Sequence, residues 1–137
     1  MSFEIYIQAF EDGQQFGLPL EEVFQSFGEY ISKVSPSQWK VYYDSQNSCD
    51  IYINGSRSDA SRIKGFTVYR PCPDMRLWNS LFKIMGLGHV ALYFPGSHIL
   101  LRSEASVAYI PPDMVNTLGG YIFVKDVKQI LNELSTT

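Results

Sequence analysis

Residues 3–10, Phe-Glu-Ile-Tyr-Ile-Gln-Ala-Phe, alternate strictly between apolar and polar-faced positions, the period-two mark of a half-buried strand. Glu11-Asp12-Gly13 ends it. From Pro19 the period changes: Leu20, Val23, Phe24 and Phe27 fall at i, i+3, i+4 and i+7, which predicts a helix stopped by Gly28. Glu21 and Glu22 in its first turn suit the helix dipole. Trp39–Asp44 and Cys49–Asn54 alternate again and read as a hairpin across Ser45-Gln46-Asn47-Ser48. A loop from Gly55 to Arg62 leads to a strand over Ile63–Arg70. A second helix follows over Asp74–Met85, with Leu77, Trp78, Leu81, Phe82 and Ile84 in a broad apolar stripe and a Schellman-type end at Gly86-Leu87.

The second half opens on His89–Phe94, almost wholly apolar and so a central strand. Pro95-Gly96 turns the chain into a short strand over Ile99–Arg102. Pro111-Pro112-Asp113 starts a short helix ending at Leu118, and Gly119-Gly120 precede a strand over Tyr121–Val124. The last helix, from Asp126, carries Val127, Ile130, Leu131 and Leu134 on one face and an Asp-x-x-Gln capping box. The order is β-α-β-β-β-α-β-β-α-β-α. Hairpins and helices mix without regular βαβ alternation, which predicts a single α+β domain over residues 1–137, with a mixed, mainly antiparallel sheet and about four helices.

Aligning the strands by parity separates two faces. One carries Ile5, Ile7, Trp39, Val41, Cys49, Ile51, Ile53, Phe66, Val68, Val90, Leu92 and Phe94, and should pack on the helices. The other carries one tyrosine per strand (Tyr6, Tyr42, Tyr52, Tyr69 and Tyr93) among Glu4, Gln8, Lys40, Asp44, Asp50, Asn54 and Thr67. Tyrosine brings a large ring and a polar tip at little entropic cost, so this pattern suits recognition. It also suits plain sheet stabilisation, through β-propensity and cross-strand ring pairs.

Composition narrows the function. The 137 residues are 45% hydrophobic and 18% charged, and include nine Tyr, nine Phe and two Trp, which is a globular balance with many rings. The net charge of −3 and the scatter of the basic residues argue against a nucleic-acid surface. No apolar run reaches membrane-spanning length, and Met-Ser-Phe-Glu-Ile-Tyr lacks the features of a secretion signal. Cytoplasmic location with reduced Cys49 and Cys72 is therefore expected.

No phosphate-binding glycine loop, Gly-x-Ser-x-Gly or His-Glu-x-x-His is present. His89 and His98 lack a third ligand, so no metal or other cofactor is expected. Glu11/Asp12 and Glu21/Glu22 are sequence neighbours whose side chains diverge, the wrong arrangement for a shared carboxylate site. Ser56–Ser61 reads as solvated loop. Cys72, flanked by Pro71 and Pro73, stands where Pro73 would begin a helix, a setting that lowers a thiol's pKa, but packing or capping of that helix is its expected role.

Several blocks carry a resemblance: residues 3–10, Asp44–Tyr52, Tyr69-Arg70-Pro71-Cys72, Val90–Gly96 and Ile110-Pro-Pro-Asp-Met-Val. Together they resemble a group of small uncharacterised bacterial cytoplasmic proteins, over most of the chain, and that likeness implies no activity. In size, acidity and α+β make-up the chain is loosely similar to immunity proteins that neutralise bacterial toxins. The expected function is a non-enzymatic protein-binding module, immunity-type in its specific form, with another protein or a second copy as partner. Its anchors would be Tyr42, Tyr52 and Tyr69, with Asp44, Asn47 and Asp50 as polar contacts. The alternative is a ligand sensor or small enzyme with a pocket near Arg70, Cys72 and His89.

Overall fold

The computed structural model describes residues 3–10, 17–53 and 62–135. In chain order these form β1 (Glu4–Phe10), β2 (Leu18–Pro19), α1 (Leu20–Gln25), a 3-10 turn (Gly28–Tyr30), β3 (Ile31–Ser35), β4 (Gln38–Asp44), β5 (Asn47–Ile53), β6 (Arg62–Ile63), β7 (Gly65–Tyr69), α2 (Met75–Met85), β8 (His89–Tyr93), β9 (Ile99–Leu101), a 3-10 helix (Glu104–Tyr109), α3 (Pro112–Thr117), β10 (Tyr121–Phe123) and α4 (Val127–Ser135). The expectations for Glu11-Asp12-Gly13, Asn54 and Ser56–Ser61 lie outside the described residues.

Eight strands make one sheet in the order β10-β9-β8-β1-β7-β5-β4-β3, while β2 and β6 pair separately. All pairs in the large sheet are antiparallel except β10 with β9. The fold is α+β with a mixed, mainly antiparallel sheet. Parity sorts its first face as the sequence predicts. Ile5, Ile7, Trp39, Val41, Ile51, Phe66, Val68, Val90 and Leu92 are buried, in one cluster with Val23 of α1, Leu77, Leu81 and Ile84 of α2, and Ile130 of α4. Gly65 belongs at the β1–β7 seam because a Cβ there would come within 2.4 Å of the Ile7 carbonyl oxygen.

Local chemistry explains several boundaries. The Asp74 side chain accepts the Arg76 backbone N–H and caps α2, so Pro73 stays outside the helix. Gly86 has φ −87°, and the Gly86 and Leu87 N–H groups bond to Lys83 and Ile84. α2 therefore ends in a tightened turn instead of the left-handed ending expected. α1 stops at Gln25, earlier than its periodicity suggests, and Gly28 with φ 68° starts a 3-10 turn into β3. The capping box at Asp126 forms: Gln129 N–H donates to Asp126, and the Gln129 side chain accepts from the Lys125 N–H.

The second face is the important departure. Phe10, Ala91, Ile99, Leu101 and Ile110 form a second apolar cluster, joined by Val107, Tyr109, Met114, Val115 and Leu118. The segment from Ser103 to Leu118 thus roofs the β8–β9–β10 end of this face and the Phe10 end of β1, while Tyr42, Tyr52 and Tyr69 stay exposed on the strands beyond it.

A tyrosine wall and the expected pocket

On the clear part of the second face, the β1–β7–β5–β4 registers set side chains in rows across the strands. Glu4, Tyr69, Asp50 and Lys40 form one row; Tyr6, Thr67, Tyr52 and Gln38 form the next. The five tyrosines share this face, but they are not equivalent. Tyr6 and Tyr93 stack with centroids 5.2 Å apart, and their hydroxyls donate to Glu4 at 2.6 Å and Gln8 at 3.3 Å. The Glu4 bond leads burial in pushing the Tyr6 phenol up, and burial alone raises Tyr93. Tyr93 also packs against the roofed cluster. Those two are structural.

Tyr42, Tyr52 and Tyr69 are 52%, 40% and 39% exposed, high values for rings of this size. Tyr52 and Tyr69 meet edge to face at 6.0 Å, and Arg70 lies over the Tyr69 ring at 5.8 Å. Among the described residues their hydroxyls have no hydrogen-bond partner. Lys40 and Asp50 are cross-strand neighbours but form no ion pair. The wall therefore presents exposed rings beside Lys40 and Asp50, which form no ion pair with each other.

Asp44 and Asn47 do something else. A register shift follows Tyr42, and the Asp44 carboxylate accepts from Asn47 Nδ2 at 3.0 Å and from the Gln46 N–H at 2.9 Å. Those bonds, Asn47 foremost, hold Asp44 below the usual carboxylate range. Its other oxygen faces Arg76 of α2 at 3.7 Å, on the helical side. Arg76 in turn lies over Tyr43 at 4.7 Å and Tyr30 at 4.9 Å and pairs with Asp74 at 2.7 Å. Tyr43 was not singled out by the sequence, although its parity places it on the buried face. Of the six expected binding residues, Asp50, Tyr52 and Tyr69 lie side by side, Tyr42 shares their face farther along β4 opposite Ser48, and Asp44 and Asn47 brace the hairpin turn.

The expected pocket near Arg70, Cys72 and His89 does not assemble. Cys72 is buried on the helical side and lines an apolar groove of about 210 Å³ with Phe3, Pro73, Met75, Trp78 and Leu131. Arg70 has φ 53° and turns out toward Tyr69. His89 points to the opposite face, its Nδ1 3.0 Å from the Ser106 hydroxyl and its ring stacked on Tyr109 at 4.1 Å. His98 pairs with Glu133 at 2.8 Å, so the two histidines do not face each other.

Burial pushes the Cys49 thiol up to about 12 and raises Cys72 as well, although the Asp74 N–H opposes the latter shift. A hollow beside β3, lined by Leu20, Lys33, Val34, Ser35, Pro36 and Trp39, offers Lys33 and Ser35 but no acid–base pair. Its outer side is β3, a strand the sequence pattern does not reveal. No three described His, Cys, Asp or Glu residues could hold a metal ion, and no described helix is long and apolar enough to cross a membrane. The chain matches no family model, and no curated protein or solved structure is similar to it at a significant level.

Proposed function

We propose that this chain is a non-enzymatic binding module that lays the open part of its sheet against a protein partner. The observation that carries this reading is the exposure of Tyr42, Tyr52 and Tyr69 on one face, their hydroxyls without partners among the described residues, while the chain's own Ser103–Leu118 segment roofs the β8–β9–β10 end. Rigid rings with polar tips bury large area for few frozen rotamers. Asp50 and Lys40 beside them add directional charge, which sets partner and register more than strength. In its specific form the module is immunity-type: a cytoplasmic chain that covers another protein's working surface and needs no cofactor, nucleic acid or membrane.

The test is capture. Tyr42→Ala with Tyr52→Ala should leave the melting temperature within a few degrees of the parent, because both rings stand at the surface outside the buried core. The same variant should lose the proteins that the tagged parent retains from lysate. A folded double variant that retains them unchanged would remove this face from the account.

A further inference from the structure

We infer that the wall takes a second copy of this chain, in a face-to-face pair related by a two-fold axis running along the strands. This inference rests on the binding-surface reading and names a second copy as its partner, in place of the foreign protein of the immunity-type form. Such an axis keeps every cross-strand row at its own height and reverses its direction. The first row runs Glu4, Tyr69, Asp50, Lys40 from β1 to β4. Centred between β7 and β5 and laid on its reversal, it sets Glu4 against Lys40 of the second copy, and Tyr69 against Asp50 of the second copy. Symmetry repeats both contacts. A carboxylate meets an ammonium, and a phenol donor without a partner among the described residues meets a carboxylate acceptor. In the second row, Thr67 meets Tyr52 and Tyr6 meets Gln38.

Charge also rejects the adjoining registers. Moving the axis onto β5 sets Asp50 against Asp50, and moving it onto β7 sets Glu4 against Asp50. Both bring like charges together, a penalty that works as specificity. The roof is anchored at the far end of β8, where His89 meets Ser106 and Tyr109, and it reaches the second row only at its margin, where Tyr93 packs against the roofed cluster beside Tyr6.

Sedimentation equilibrium of the full chain, carried to hundreds of micromolar, reads the pair directly. The parent should show a monomer–dimer equilibrium. Glu4→Lys alone and Lys40→Glu alone should each weaken it roughly tenfold or more. An equimolar mixture of the two singles should regain it, because every crossed contact is then complementary. Circular dichroism of each single checks that it is folded, and Tyr69→Phe, which keeps the ring, should weaken the pair independently of the swaps.

A parent that stays monomeric overturns the inference, and so does a dimer indifferent to all these variants, or singles that fail to recover on mixing. A monomeric parent that still loses captured protein on Tyr42→Ala with Tyr52→Ala would sink the second copy alone and keep the wall for a different protein. Loss of neither dimer nor capture would sink both.

Discussion

Tyr6 stacks on Tyr93 at 5.2 Å with the ring planes 26° apart, so two residues that look identical in parity to Tyr42 and Tyr52 belong to the framework. Their rings join β1 to β8 next to the roofed cluster. Tyr93→Ala should lower unfolding free energy by about 1–2 kcal/mol, from the lost ring pair and its burial. Tyr42→Ala should change it by less than about 0.5 kcal/mol, as a solvated surface residue does. Urea unfolding of the two variants separates the classes, and equal losses would erase the distinction.

Tyr43 is buried, and its hydroxyl has no hydrogen-bond partner of acceptable geometry although Ser80 lies close by. Burial and the neighbouring thiols push this phenol well above the ordinary range. An orphaned buried hydroxyl carries a desolvation penalty that no bond returns. Tyr43→Phe keeps the ring beneath Arg76 and removes the orphan, so it should be neutral or stabilise the fold by up to about 1 kcal/mol. A clear drop in melting temperature would mean that the hydroxyl is bonded after all.

Both thiols are raised by burial, Cys49 to about 12, which leaves little thiolate at neutral pH. Labelling of the native chain with a thiol-reactive disulfide at pH 7 should run at least about tenfold slower than labelling in denaturant. Were Cys72 to react as fast in the native chain, the apolar groove would deserve a chemical role.

Hydrogen bonds from Arg76, side chain first and then backbone N–H, hold Asp74 down at about 2. Unfolded aspartate titrates near 4. A carboxylate whose folded value lies below its unfolded one adds stability above the unfolded value, and that contribution disappears as pH falls from about 4 toward 2. Asp44 shifts the same way, and so does Glu133, where burial opposes the charge but bonds from the His98 backbone and ring prevail. Asp74→Asn keeps a capping oxygen and loses the titration. Its melting temperature should fall less steeply through that window than the parent's, and parallel curves would take the Arg76 pair out of the explanation.

The buried face was readable from the sequence because period-two alternation is rigid: once Ile5 is inside, Ile7 is too, and Trp39, Ile51 and Phe66 follow in their own strands. The hidden parts have physical reasons. β3 escaped because Ser32, Lys33, Val34 and Ser35 carry no alternation, and the strand has its neighbour on one side only. The short helix ahead of Leu118 was legible, but the 3-10 helix before it was not, and the spacing of Val107, Ile110, Met114 and Leu118 does not say which face of the sheet they cover.

A trace of the roof was present nonetheless. Ile99, Leu100 and Leu101 are apolar in succession and all buried, as befits a strand covered on both sides. Asp44 illustrates the opposite error. Its parity puts it on the wall, but one register shift and an arginine from α2 decide where its charge points.

The roof also makes the sheet uneven in time. β8 and β9 lie between two apolar layers, whereas β3 is the edge strand among the described residues. Amide hydrogens should therefore exchange with deuterium in a graded sweep, earliest at β3 and last around Ala91 and Leu100. A partner seated on the wall would delay the early part of that sweep and leave the late part where it was.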